Sequence, residues 1–171
     1  MNRRSILVAY ATRYGSTQEV AETITAALRE AGLEVDIRPM QEVRTLDNYD
    51  AVVLGAAIYG ARWHPEAGQF LSQHQETLRQ LPVAIFALGP LTRDDAAKRR
   101  SRRQLDKDLE KYSWLKPVAT EILVGKYDHA KLSFFERLLP ASDNRDWDAI
   151  RAWASALPAQ LQPAEMLVRP A

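Results

Sequence analysis

The stretch from Ile6 to Gly32 narrows the possible folds more than any other. An apolar run, Ile6–Ala9, breaks at a polar segment that holds Thr12, Arg13, Tyr14, Gly15, Ser16 and Thr17. A helical pattern follows at once: Val20, Ala21, Ile24, Ala27, Leu28 and Ala31 share one face, and Gly32 stands where a C-cap belongs. Strand, tight loop and helix start together aim bare backbone N–H groups and the positive end of a helix dipole at an anion. Gly15 lets the backbone approach closely, and the hydroxyls of Thr12, Ser16 and Thr17 suit phosphate oxygens. The loop holds no Lys and matches neither G-x-x-x-x-G-K-[ST] nor G-x-G-x-x-G. A triphosphate P-loop and a dinucleotide fingerprint are thereby absent, and the loop suits a monophosphate held by neutral donors. The competing reading makes Ser16 and Glu19 a capping box that merely opens a helix.

A chain of 171 residues, 46 % hydrophobic and 26 % charged, fits one domain with a proper core. The expected extent is 1–161, with 162–171 as a loose, proline-containing tail. No apolar run reaches membrane-spanning length and no signal-peptide pattern opens the chain, so a cytoplasmic location is expected. The absence of cysteine excludes disulfides, thiol catalysis and cysteine-held iron–sulfur clusters. Redox chemistry therefore requires a bound cofactor. The formal net charge of +1 lacks the strong acidity that steers a small electron shuttle to basic partners.

Leu33, Val35 and Ile37 alternate with Glu34, Asp36 and Arg38, as in a half-buried edge strand. Ile6–Ala9, Ala51–Leu54 and Val83–Leu88 are nearly continuous apolar runs, as strands buried on both faces of a parallel sheet are. Helical stripes lie between them: Pro65–Leu81, then Asp94–Tyr112, and a last helix beginning near Asp146 with Trp147, Ile150, Ala154, Leu157 and Leu161 inward. Thr120–Val124 supplies a fifth strand. The pattern predicts an α/β fold, a doubly wound five-stranded parallel sheet of order 2-1-3-4-5 in three α/β/α layers. Its ligand belongs beyond the C-terminal strand ends, among the loops after the first, third and fourth strands.

Two segments resist this scheme. Lys98–Arg103 packs five cations into six residues, a run that reads as a solvated face or as a weak contact with anionic lipid or an acidic partner. No aromatic residues interleave with it, so nucleic acid is not expected. Tyr127–Leu139 mixes Phe134, Phe135, Leu138 and Leu139 with Lys131 and Arg137, outside the strand–helix repeat. No His, Asp or Glu grouping has metal-ligand spacing, so no metal is expected.

Ala11–Thr17, Gly55–Ile58, Trp63–His64 and Arg145–Trp147 are together similar to the flavodoxin-domain family, and most to the branch that contains menaquinone-dependent protoporphyrinogen dehydrogenase. The resemblance runs to about Leu161. Thr12–Thr17 departs from the family's [TS]-x-[TS]-G-x-T loop at Tyr14. It implies a flavodoxin-like fold, FMN as cofactor, and an oxidoreductase in which the flavin carries the chemistry, with no catalytic side chain. Its finer implication is oxidation of protoporphyrinogen coupled to a quinone, at the inner face of a membrane. An electron carrier without a substrate of its own remains the alternative, served by a redox partner. Three loops would hold the flavin: Thr12–Thr17 the phosphate; Ala57, Ile58, Tyr59, Gly60 and Trp63 one face of the ring; Leu88, Gly89, Pro90 and Leu91 its pyrimidine edge. Tyr59 or Trp63 would stack, and Gly60 would supply a peptide free to reorient.

Overall fold

The computed structural model describes residues 4–90, 92–127 and 142–162. Its elements in chain order are β1 (Ser5–Ala11), α1 (Ser16–Glu30), β2 (Glu34–Pro39), β3 (Ala51–Tyr59), β4 (Arg62–Trp63), α2 (Pro65–Gln73), α3 (Gln75–Leu78), β5 (Val83–Leu88), α4 (Asp95–Leu109), β6 (Ala119–Leu123), β7 (Lys126–Tyr127), β8 (Ser142–Asp143) and α5 (Trp147–Gln160).

The main sheet runs β2-β1-β3-β5-β6, parallel throughout. With the two-residue β4 set aside, this is the 2-1-3-4-5 order read from the sequence. The apolar runs predicted for the middle of the sheet are buried on both faces, from Ile6 to Ala11 and from Val83 to Leu88. One face packs against Val20, Ile24 and Leu28 of α1 and Ile150, Ala154 and Leu157 of α5. The other packs against Phe70 and Leu71 of α2, Leu78 of α3 and Leu105 of α4. Two cores on one sheet make the three layers.

Three expectations need correction. The third strand does not stop at Leu54. It continues to Tyr59 because Gly55, Ala56 and Ala57 keep pairing with β1 and β5 up to Ala57↔Leu88. Small side chains make that possible: a Cβ on Gly55 would lie 1.9 Å from the ring of Phe86. Second, the helix expected over Pro65–Leu81 breaks at His74, whose backbone (φ −108°, ψ 19°) leaves the helical region. Third, the fifth strand is Ala119–Leu123 rather than Thr120–Val124.

Both later helices are capped by carboxylates. Asp94 accepts from the N–H groups of Ala96 and Ala97, and Asp146 from that of Ala149. Beyond β6 the chain forms a short antiparallel pair, Lys126↔Asp143 and Tyr127↔Ser142, on either side of 128–141.

Candidate functional site

The C-terminal ends of β1, β3 and β5 converge, and the loops that leave them carry the residues singled out above. The first loop opens α1 in an unusual way. Its N-cap is Gly15 with φ 90°, a left-handed conformation open to glycine, and no side chain caps the helix. Thr12 Oγ1 accepts the Gly15 N–H at 2.8 Å, which folds the loop back on itself. Thr17 is fully buried, yet its Oγ1 has no hydrogen-bond partner. A buried hydroxyl without a partner costs about 1–3 kcal/mol, so a site that holds one under an uncapped helix N-terminus is built for an incoming acceptor. The loop therefore fits the phosphate of a mononucleotide.

The capping-box reading fails on the same geometry. Glu19 turns instead to Arg145, whose guanidinium also donates to Asp143 from Nε and Nη2 at 2.9 Å each. Arg145 is buried, lies 4.6 Å from the Trp147 ring centre, and holds the Asp143 carboxyl below the usual carboxylate range. Nothing local in the sequence pairs positions 19 and 145. The contact ties the start of α5 to the first turn of α1.

The second loop is a tight hairpin. Gly60 (φ 53°) and Ala61 (φ 65°) join the paired residues Tyr59 and Arg62, which is the two-residue turn with both centres left-handed. The turn holds Tyr59 edge-on to Tyr14, with ring centres 6.0 Å apart, and next to His64. The Arg13 guanidinium lies 5.0 Å from the Tyr14 ring and 6.0 Å from the Tyr59 ring. Arg13, Tyr14, Tyr59 and His64 thus form one cluster beside the phosphate loop. His64 also caps α2 by accepting the Glu66 N–H at Nδ1, and burial lowers its pKa, with the Arg13 charge acting the same way against Glu66. A neutral imidazole is what that acceptor role requires.

Trp63 is held largely in the core. It is only 6 % exposed, belongs to the core on the α2 face, and donates its indole N–H to the Ala56 carbonyl at 3.2 Å. Of the two aromatic candidates, Tyr59 stands at the edge of the site and Trp63 beneath it. Ala57 is buried and its carbonyl accepts from the His64 N–H, while Ile58 is half-buried behind the turn.

The third loop leaves β5 at Leu88. Gly89 donates to the Leu123 carbonyl, and the Pro90 carbonyl accepts from Gly125. A Cβ on Gly89 would meet the Ser101 side chain at 2.6 Å, so α4 closes directly over this loop. Leu91 lies outside the described residues, as does the segment Tyr127–Leu139 except for the backbone of Tyr127.

Beside these loops a groove of about 1100 Å³ opens between the hairpin, α2 and the end of α4. Arg13, Tyr59, Trp63 and His64 form one wall; Arg62, Asp108, Lys111 and Tyr112 were not anticipated. Asp108 accepts the Trp63 backbone N–H at 2.7 Å and so anchors the hairpin from across the fold. Gly68 in α2 makes room for the Tyr112 hydroxyl, which a Cβ there would meet at 2.7 Å. A glycine inside a helical stripe was the one visible hint of this close approach. Among the described residues no group of three or more His, Asp or Glu could hold a metal ion. No helix there is long and apolar enough to cross a membrane.

Known proteins agree with this layout. Residues 7–140, most of the chain, match the model of the flavodoxin domain. A protoporphyrinogen IX dehydrogenase (quinone) from Escherichia coli (strain K12) is 22 % identical over 135 residues, 78 % of this chain and 75 % of that protein. The Leishmania major protein of the same name is 26 % identical over 179 residues, 92 % of this chain and 77 % of its own. Oxidised Flavodoxin 1 from Bacillus cereus superposes with a TM-score of 0.57 at 16 % identity, over 92 % of this chain and 99 % of that one. A flavo di-iron protein mutant from Thermotoga maritima gives 0.60 at 18 % identity, over 94 % of this chain and 37 % of its own. With its parallel sheet order, its uncapped phosphate loop and its match over most of the chain, the protein belongs to the flavodoxin-domain family, and FMN is its cofactor.

Proposed function

We propose that this chain is an FMN-dependent dehydrogenase that oxidises protoporphyrinogen and passes the electrons to a quinone. The observation that carries the reading is similarity over three quarters or more of the chain to two proteins named for that reaction. The near-neutral net charge adds support, because a diffusing shuttle depends on a strong field of one sign.

Thr12, Gly15, Ser16 and Thr17 would hold the phosphate through backbone N–H groups and hydroxyls, with the α1 dipole favouring the anion. Tyr59 and the Gly60 peptide would meet the ring from one side, and the Leu88–Pro90 backbone would meet its edge. FMN supplies one- and two-electron chemistry, while the side chains orient the ring and set its surroundings. Arg13, Arg62 and Lys111 line a groove with aromatic walls, a chemistry suited to an aromatic substrate bearing carboxylates. Phe134 and Phe135, by sequence, would add an apolar wall for the substrate or the quinone.

The test is anaerobic reduction of the bound flavin by protoporphyrinogen IX, followed by reoxidation with a menaquinone analogue. Reduction and quinone-dependent reoxidation are expected, and Phe134→Ser/Phe135→Ser should abolish them while FMN stays bound. A flavin left oxidised by that substrate, yet exchanging electrons quickly with a flavodoxin reductase, would assign the protein to electron carriage instead.

A further inference from the structure

The basic run in α4 has a geometry that its sequence hides. At 100° per residue, Arg99, Arg100, Arg103 and Lys107 fall within about a 100° arc of the helix, and their Cα atoms span about 12 Å along its axis. All four are exposed, and none makes an ion pair with a described residue. The other cations of the helix are engaged: Lys98 with Glu121 at 3.8 Å and Arg102 with Asp106 at 2.9 Å. Asp106, turned toward Arg102, and Asp108, turned toward Trp63, lie outside the arc, and the one carboxylate within it is the C-cap Glu110 at its far end. The whole chain is only +1, so outside this stripe it is net negative. The positive charge is therefore concentrated on one helix face.

That helix borders two of the flavin loops. At its middle Ser101 covers Gly89, and near its end Asp108 holds the hairpin through Trp63. Lys111, one turn beyond Lys107, lines the groove. The basic arc lies on the opposite side of the helix from Ser101 and Leu105, the buried residues of α4.

We propose that this face of α4 docks the protein on an anionic lipid bilayer. Cations near such a surface each contribute about 1 kcal/mol without needing a fixed register, which matches a row of long, unpaired side chains. An acidic protein partner would need a buried apolar or aromatic anchor at the centre of its interface, and Ala96 is the only apolar residue in the arc. Docking here sets the loops after β3 and β5 across α4 from the lipid, about one helix diameter or 10 Å away. It does not depend on which substrate reduces the flavin, so this reading and the one above can fail separately.

The experiment is co-sedimentation of the FMN-loaded protein with vesicles of phosphatidylcholine, with and without phosphatidylglycerol. Binding is expected only with phosphatidylglycerol, and it should weaken as salt rises past about 150 mM, where screening sets in within 8 Å. Arg99→Gln/Arg100→Gln/Arg103→Gln should lower partitioning about a hundredfold with FMN content and circular dichroism unchanged. A control of equal net charge, Arg44→Gln/Arg79→Gln/Arg151→Gln, should bind like wild type. The proposal is overturned by equal binding to neutral vesicles, by equal loss in both triple variants, or by no vesicle binding at all. Loss in Phe134→Ser/Phe135→Ser with full binding by the α4 variant would overturn it as well.

Discussion

Two loops meet at the site, and they are held in opposite ways. The phosphate loop is a local object: Thr12 bonds Gly15 three residues on, and the helix that follows begins at the next residue. The Tyr59–His64 hairpin is a tertiary object. Its turn is local, but Trp63 is fixed by Asp108, 45 residues away, and its indole by the strand beneath. One loop leaves a buried hydroxyl waiting for a ligand, and the other leaves no comparable group unpaired. The phosphate loop is thus poised for binding at a cost to the apoprotein, whereas the hairpin is braced by protein groups alone.

The sharpest way to break this contrast is Gly15→Val. A β-branched residue at φ 90° is strained and blocks the approach of the phosphate, so FMN affinity should fall about a hundredfold or more. Fluorescence titration of the apoprotein with FMN reads this directly. Thr17→Ala should weaken FMN binding by about 1.5–3 kcal/mol, the worth of a hydrogen bond to a charged group. Because Oγ1 is buried without a partner, its removal lifts that cost, so urea unfolding should show the apoprotein more stable than wild type by about 1 kcal/mol or more. A large stability loss would show that the hydroxyl has a structural job.

Asp108→Ala should do the reverse. It removes a charged acceptor from the Trp63 N–H, so apoprotein stability should drop by about 1.5–3 kcal/mol, while Asp108→Asn keeps most of it. Affinity for the phosphate moiety, read as the ratio of FMN to riboflavin binding, should barely move. The smallest expected change is Ala61→Gly in the hairpin turn. Relief of a left-handed alanine should stabilise the protein by about 1 kcal/mol, seen as a higher urea midpoint with the same slope.

The difference also explains what could be read without a structure. The strand–loop–helix unit at Ile6–Gly32 was legible because every force that shapes it acts within a few residues: period, glycine conformation and helix polarity. The sheet order was legible because buried parallel strands declare themselves as apolar runs. The extension of β3 to Tyr59 was not, since Gly55–Ala57 has the small residues of a loop and becomes strand only under the Phe86 ring. The same limit hid the burial of Trp63, which looked like a free aromatic in a turn.

By itself the chain determined the fold class, the strand–loop–helix unit at Ile6–Gly32 and the absence of thiol chemistry, all of which follow from residue type and short-range spacing. Tertiary structure alone decided that Glu19 pairs with Arg145 rather than capping its own helix, that Asp108 holds the hairpin, and that Arg99, Arg100, Arg103 and Lys107 of α4 stay exposed. Those outcomes depend on which distant groups the packing brings within hydrogen-bond or ion-pair reach. Charge and hydroxyl content can be counted along a sequence, but whether a group is paired or left open is settled only when the elements close around it.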